Sequence, residues 1–205
     1  MPITINGSGI VTGVSVGGLP DGIVDTDMLA ANAVTVDKAT GSVKGITVAD
    51  QWRVTSDFTM GQLAATITSN WERNDTEFEQ IGTGFASAPD SSNGHWTFPS
   101  TGKWLIQVHW TGARTTGNTY WGFHYCHAMN DGNQSNGFDL MTSYVNVGRN
   151  EGMNTAFMQA IFDVTDVSTH KILFGYYDYY TSSTIYRGHS GKNENSYTFL
   201  KLGDT

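Results

Sequence analysis

Three groups of residues have the types and spacing that chemistry needs. His124, Cys126 and His127 fall within four positions, and imidazole and thiolate are common zinc ligands. On a strand His124 and Cys126 share one face while His127 turns to the other, so the three cannot converge locally. A metal would need a further group from elsewhere in the chain or from a symmetry mate; packed strand residues are the simpler reading. Glu72, Asp75, Glu77 and Glu79 form an acidic run after Trp71. Paired carboxylates serve glycoside hydrolysis, and oxygen ligands serve calcium. This run contains Arg73 and reads as a solvated turn before a strand at Phe78, so neither catalysis nor a cofactor is assigned to it. Gly13-Val14-Ser15-Val16-Gly17 has the spacing of a nucleophile elbow. That motif needs a strand before it, a helix after it and His and acid partners. Here Gly-Gly-Leu-Pro follows at 17–20, and the spacing is expected by chance in a segment rich in Gly, Ser and Val.

A fourth group suits binding rather than catalysis. Tyr176, Tyr177, Tyr179 and Tyr180 flank Asp178, and Tyr186, Arg187, His189, Lys192 and Asn193 follow. Tyrosine packs on one side and hydrogen-bonds on the other, which serves both subunit interfaces and the stacking of sugars. The connection 180–195 combines aromatics, cations and amides. Burial at a subunit interface is the first reading for the tyrosines and exposed receptor contact the second; Tyr179, Tyr180, Tyr186, Arg187, His189 and Lys192 are the candidate receptor-binding residues.

The elements that must position these groups divide the chain in two. All 25 aromatic residues lie at or after Trp52. The first 49 residues are rich in Gly, Val, Ala and Thr and carry four Asp and two Lys, a net charge of −2. Without large side chains such a segment buries too little apolar area to offset its chain entropy. It reads as an extended arm that needs a partner surface, with Ile3, Ile5, Leu19, Ile23, Met28 and Leu29 as the apolar contacts.

Residues 50–205 read almost wholly as strand. Trp104, Ile106, Val108 and Trp110 alternate with Leu105, Gln107 and His109; Trp121, Phe123 and Tyr125 alternate with Gly122, His124 and Cys126. The run 157–164 is apolar on both faces, as a strand covered from both sides would be. Asn93-Gly94, Asp131-Gly132 and Asn136-Gly137 mark turns. Short strands at this spacing over about 155 residues predict an all-β sandwich or jelly roll. A net charge of −8 with scattered basic residues argues against nucleic acid. No apolar stretch is long enough for a membrane-spanning helix, and the first residues lack the pattern of a secretory signal.

The run Gly94-His95-Trp96-Thr97-Phe98-Pro99, continuing through Gly102-Lys103-Trp104-Leu105-Ile106, resembles the signature of the complement-head and tumour-necrosis-factor jelly-roll superfamily. Phe78-Glu79-Gln80-Ile81 stands where that family has an apolar strand, and Tyr197-Thr198-Phe199-Leu200 is similar to its final strand. Thr198 replaces a common Gly, and two extra residues separate Pro99 from Gly102. The resemblance implies a trimeric jelly roll over residues 50–205; many relatives bind calcium, which is not expected here. Separately, Ile3-Thr4-Ile5-Asn6-Gly7, Gly17-Gly18-Leu19-Pro20-Asp21-Gly22 and Asp27-Met28-Leu29-Ala30 look like the N-terminal arms of tail-fibre and other virion proteins of marine cyanobacterial phages.

Together these imply a non-enzymatic virion protein at the particle surface. Residues 1–49 attach to other virion proteins, and a homotrimeric knob reaches a host surface glycan or protein. Capsid decoration is the alternative. A virion-associated glycan-active enzyme and a secreted lectin-like module are more remote.

Overall fold

The computed structural model describes residues 4–5, 11–12, 45–61, 63–74, 78–114, 120–147, 152–178 and 184–205. The first two strands, β1 (Thr4–Ile5) and β2 (Val11–Thr12), form a short antiparallel pair, with Ile5 opposite Val11. The remaining anchoring candidates, Ile3, Leu19, Ile23, Met28 and Leu29, and the Gly13–Gly17 motif lie outside the described residues.

Gly45–Thr205 forms one compact unit built of strands. In chain order these are β3 (Ala49–Val54), β4 (Phe58–Thr59), β5 (Ala65–Thr66), β6 (Trp71–Arg73), β7 (Gln80–Ile81) and β8 (Trp96–Thr97). The long strands β9 (Gly102–Arg114), β10 (Tyr120–Met129), β11 (Phe138–Val147), β12 (Met153–Val164) and β13 (Lys171–Asp178) follow, then β14 (Thr184–Tyr186) and β15 (Ser196–Gly203). Every pairing among them is antiparallel.

Two sheets result. The larger runs β4-β14-β9-β15-β3-β6, with β12 on the other edge of β9 and β7 beside β3; the smaller runs β11-β10-β13-β5, with β8 also on β13. This is a jelly-roll sandwich, as the period-2 alternation predicts. The inward side chains of β9 are Trp104, Ile106, Val108 and Trp110, all fully buried. Trp96 sits at the centre, its ring centroid 5.0–5.3 Å from those of Trp52, Trp71, Phe85 and Phe199. Edge-on and tilted aromatic pairs of this kind add about 0.5–1.5 kcal/mol each beyond the area they bury. Turn chemistry is met where it matters: Gly94 (φ +75°) and Gly132 (φ +77°) take the left-handed backbone that their Asn and Asp partners announce.

The larger sheet is tied by a buried carboxylate. Asp50 on β3 accepts from Arg73 Nε (3.0 Å) and Nη2 (3.1 Å) and from the Phe85 backbone N–H (2.8 Å). The Arg73 guanidinium lies 4.7 Å over the Trp52 ring. A fully buried carboxylate is tolerated because each oxygen has donors.

Two expectations change. Phe78 opens a turn, 40 % exposed, and the strand behind it shrinks to Gln80–Ile81, both exposed. The run 157–164 is not covered on both sides within the chain: β12 is an edge strand, buried through Met158, Phe162 and Val164, with Phe157 and Ile161 left 56 % and 58 % exposed.

Candidate functional site

The connection between β14 and β15 carries the predicted recognition residues, and the structure uses several of them internally. Tyr186 is fully buried, contrary to its expected role as an exposed contact. Its place on β14 turns it into the core, where it stacks 5.4 Å from Trp110 and its hydroxyl meets that of Tyr197. Arg187 does not form a free basic spot with Lys192. Its Nη1 bonds Asp57 Oδ2 at 2.5 Å and its Nε bonds Glu194 Oε2 at 3.1 Å, so both acids draw its charge into the loop. His189 is half-buried, and its Nδ1 accepts from the Gly191 N–H (2.8 Å). Lys192 and Asn193 are exposed at the tip. Tyr179 and Tyr180 lie outside the described residues.

One residue that sequence reasoning missed holds this loop. The buried Asn195 accepts from Val54 N–H at 2.6 Å and donates to the Arg187 carbonyl at 2.7 Å. Its partner on β3 is 141 residues away, so no local signal marks it.

His124, Cys126 and His127 separate as the strand period requires. His124 and Cys126 are fully buried and His127 lies on the outer face of β10. His124 Nδ1 donates to the Gly175 carbonyl (2.6 Å), and Nε2 accepts from the Tyr197 hydroxyl (3.0 Å). Burial pushes His124 down to about 3 and the Cys126 thiol well up. With both ring nitrogens bonded and its basicity lowered, His124 is a weak base, and the protonated Cys126 thiol is a weak nucleophile. In the acidic run Glu72 pairs with Arg53 (2.9 Å), Glu79 is exposed, and Asp75 and Glu77 lie outside the described residues. Among the described residues no three His, Cys, Asp or Glu stand close enough to hold a metal ion, and no helix is long and apolar enough to cross a membrane.

The larger sheet presents a different kind of surface. Phe157 and Ile161 on β12 pair with His109 and Leu105 on β9, and Leu105 pairs in turn with Leu200 on β15. Between these apolar rows runs an amide and hydroxyl row: Gln51 donates to Thr198 (2.9 Å), and Gln107 donates to Gln159 (3.1 Å). From Leu105 to Thr111 and from Thr155 to Ile161, the outer faces of β9 and β12 carry no Asp, Glu, Lys or Arg. Exposed Met153 extends the patch. Exposed apolar rows of this kind are the type of surface that protein–protein contacts cover.

No protein-family model and no curated protein matches this chain. Solved structures do match its fold. Murine APRIL at pH 5.0 superposes with a TM-score of 0.52 at 10 % identity, over 76 % of this chain and 98 % of that one. The same protein at pH 8.0 gives 0.51 at 10 % identity with the same coverage. The Eiger TNF of S. frugiperda gives 0.49 at 12 % identity, over 78 % and 96 %. The class defined by these sheets is the tumour-necrosis-factor-like jelly roll.

Proposed function

We propose that this chain is a non-enzymatic structural and binding protein of a phage virion, a homotrimer whose N-terminal arm attaches to other virion proteins. Its jelly-roll knob projects from the particle surface. The observation that carries the reading is the uncharged apolar face of β12 and β9. A copy can meet such a face without like-charge cost, and closed cyclic symmetry is the usual result. Fully burying a Phe or Ile side chain contributes about 1.5–3 kcal/mol, so half-exposed Phe157 and Ile161 supply a large share of a subunit contact when repeated around an axis. The resemblance of the signature around Gly94–Ile106 supplies the number three, and the resemblance of the arm supplies the virion.

Light scattering on the purified chain tests this directly. A mass near three times 22.3 kDa is expected. The double substitution Phe157→Asp with Ile161→Asp should release monomers that keep their β-sheet circular dichroism. A monomeric wild type at micromolar concentration, or an unaffected double variant, overturns the reading.

Within the virion, a tail fibre contacting a host surface glycan or protein is the leading reading. Capsid decoration is the second. It is favoured by the burial of Tyr186 and the pairing of Arg187, which remove two side chains from the expected contact loop.

A further inference from the structure

The outer face of the smaller sheet carries an aromatic shelf with a polar wall. Phe123 and Tyr125 on β10 point outward, because it is His124 and Cys126 that β10 turns into the core. Phe123 lies 5.0 Å from Tyr177, 5.4 Å from Tyr144 and 6.2 Å from Tyr125 between ring centroids. Tyr144 is 60 % exposed although a sheet residue. At the end of this shelf His127 and Asp139 face each other across the β10–β11 ladder, Nδ1 to Oδ1 at 3.1 Å. His127 Nε2 reaches the Gln134 carbonyl at 3.2 Å. Phe123, Tyr125, His127, Asp139 and the Gln134-Ser135 turn, with Ala64 and Leu173, line an open cleft of about 530 Å³.

Two glycines shape it. Gly175 stands opposite Tyr125 on β13, and a Cβ there would overlap the tyrosine ring. Gly137 stands beside His127, and a Cβ there would overlap the imidazole. The Tyr125 hydroxyl is also held by the Thr66 side chain on β5. The floor and wall are thus fixed by the sheet before any ligand arrives, which lowers the ordering cost of binding.

We propose that this cleft binds the ring of a neutral pyranose sugar. A pyranose has an apolar C–H face and a rim of hydroxyls. The first can lie on the face of Phe123, with the Tyr125 ring tilted 53° beside it, and the second matches a carboxylate, an imidazole, an amide and a hydroxyl along one wall. The Asp139 carboxylate, with a mostly exposed side chain, accepts hydroxyl protons in charge-assisted bonds. That same carboxylate and the net charge of −8 disfavour phosphates and other anions. The volume lies within the range of small-ligand pockets and has room for a sugar ring. The proposal deepens the reading of this chain as a surface-binding protein and gives its contact a place other than the 180–195 loop.

Saturation-transfer NMR on the full-length chain tests it, with methyl α-glucopyranoside, methyl α-mannopyranoside, methyl β-galactopyranoside and N-acetylglucosamine as probes and choline as the cationic control. Transfer to the ring C–H protons of at least one glycoside is expected, with a Kd of about 1 mM. Phe123→Ala and Asp139→Ala should each weaken it roughly tenfold, the scale of one lost stacking or charged contact. Leu202→Ser, on exposed β15, should leave it unchanged. Light scattering and thermal unfolding on the same samples establish that the variants stay folded and assembled. No transfer to any glycoside, transfer that survives both variants, or tighter binding of choline overturns the proposal. Because assembly is read separately, a negative result with an intact trimer defeats the sugar site alone, whereas a monomer defeats the broader reading.

Discussion

Acid should unfold this protein through one histidine. His124 is enclosed by Trp110, Phe174, Tyr186 and Tyr197, with ring centroids 5.1–5.9 Å away. The Gly175 carbonyl can only accept, so Nδ1 carries the proton and Nε2 is the acceptor for the Tyr197 hydroxyl. A second proton would strand a charge in the core and force the Tyr197 hydroxyl to turn from donor to acceptor. Burial therefore holds His124 at about 3, against 6.5 when unfolded, with the Gly175 bond opposing the shift only in part. The unfolded chain binds more protons between these values, so stability falls as pH drops below about 6.5 and stops falling near 3. Each pH unit costs about 1.4 kcal/mol, and near pH 4.5 the loss is about 2–3 kcal/mol, a large part of a typical domain's stability. The exposed carboxylates of Asp90, Asp131 and Asp166 are lowered by hydrogen bonds from Ser92, Asn136 and Ser168. Their contribution is present above 3.8 and lost only as pH falls below it, so it does not change between neutral pH and about pH 4.5. Urea midpoints at fixed protein concentration, measured from neutral pH down to about pH 4.5, would show the slope. His124→Gln should lower stability at neutral pH and flatten the pH dependence. An identical slope in wild type and variant refutes the reasoning.

Gly175→Ala should cost about 1–3 kcal/mol through overlap with the Tyr125 ring and the Ala65 carbonyl, read as a lower urea midpoint. Asp50→Ala leaves Arg73 without its carboxylate and the Phe85 N–H without its acceptor; a loss of about 3 kcal/mol is expected in the same assay. Cys126, buried and with its thiol pushed up, should resist a thiol reagent in buffer and react once in denaturant; rapid labelling of the native protein would contradict the packing. A chain beginning at Gly45 should melt at the temperature of the full chain, whereas starting at Asp50 removes buried Val48 and Ala49 and should lower it.

Strand content was legible because alternation of large apolar residues has one physical cause, a sheet with one dry face. Trp104 to Trp110 show it without ambiguity. On β10 the same alternation says which residues travel together, not which set goes inside. There His124 and Cys126 took the core while Phe123 and Tyr125 took the surface, a choice made by neighbours on β13 and β9 rather than by hydrophobicity. In the sequence Tyr186 belongs to a polar loop, because its local company, Arg187 to Asn195, is polar. Its burial comes from Trp110 and Tyr197, which lie outside that loop. Asp50 and Asn195 were invisible for the same reason: Arg73 lies 23 residues from Asp50, and Val54 lies 141 from Asn195.

The antiparallel pairing of β3 and β15 has a mechanical consequence. Ala49 stands opposite Leu200, so the chain enters and leaves the sheet at the same end. β3 is bonded along both edges, to β15 on one side and to β6 and β7 on the other. Tension arriving along the axis of β3, with the knob gripped at its far end, strains all of those hydrogen bonds together in shear. Tension between Ala49 and Gly203 instead opens the β3–β15 ladder one rung at a time, like a zip. β3 is therefore held firmly against a pull along its own axis and weakly against a pull that separates Ala49 from Gly203.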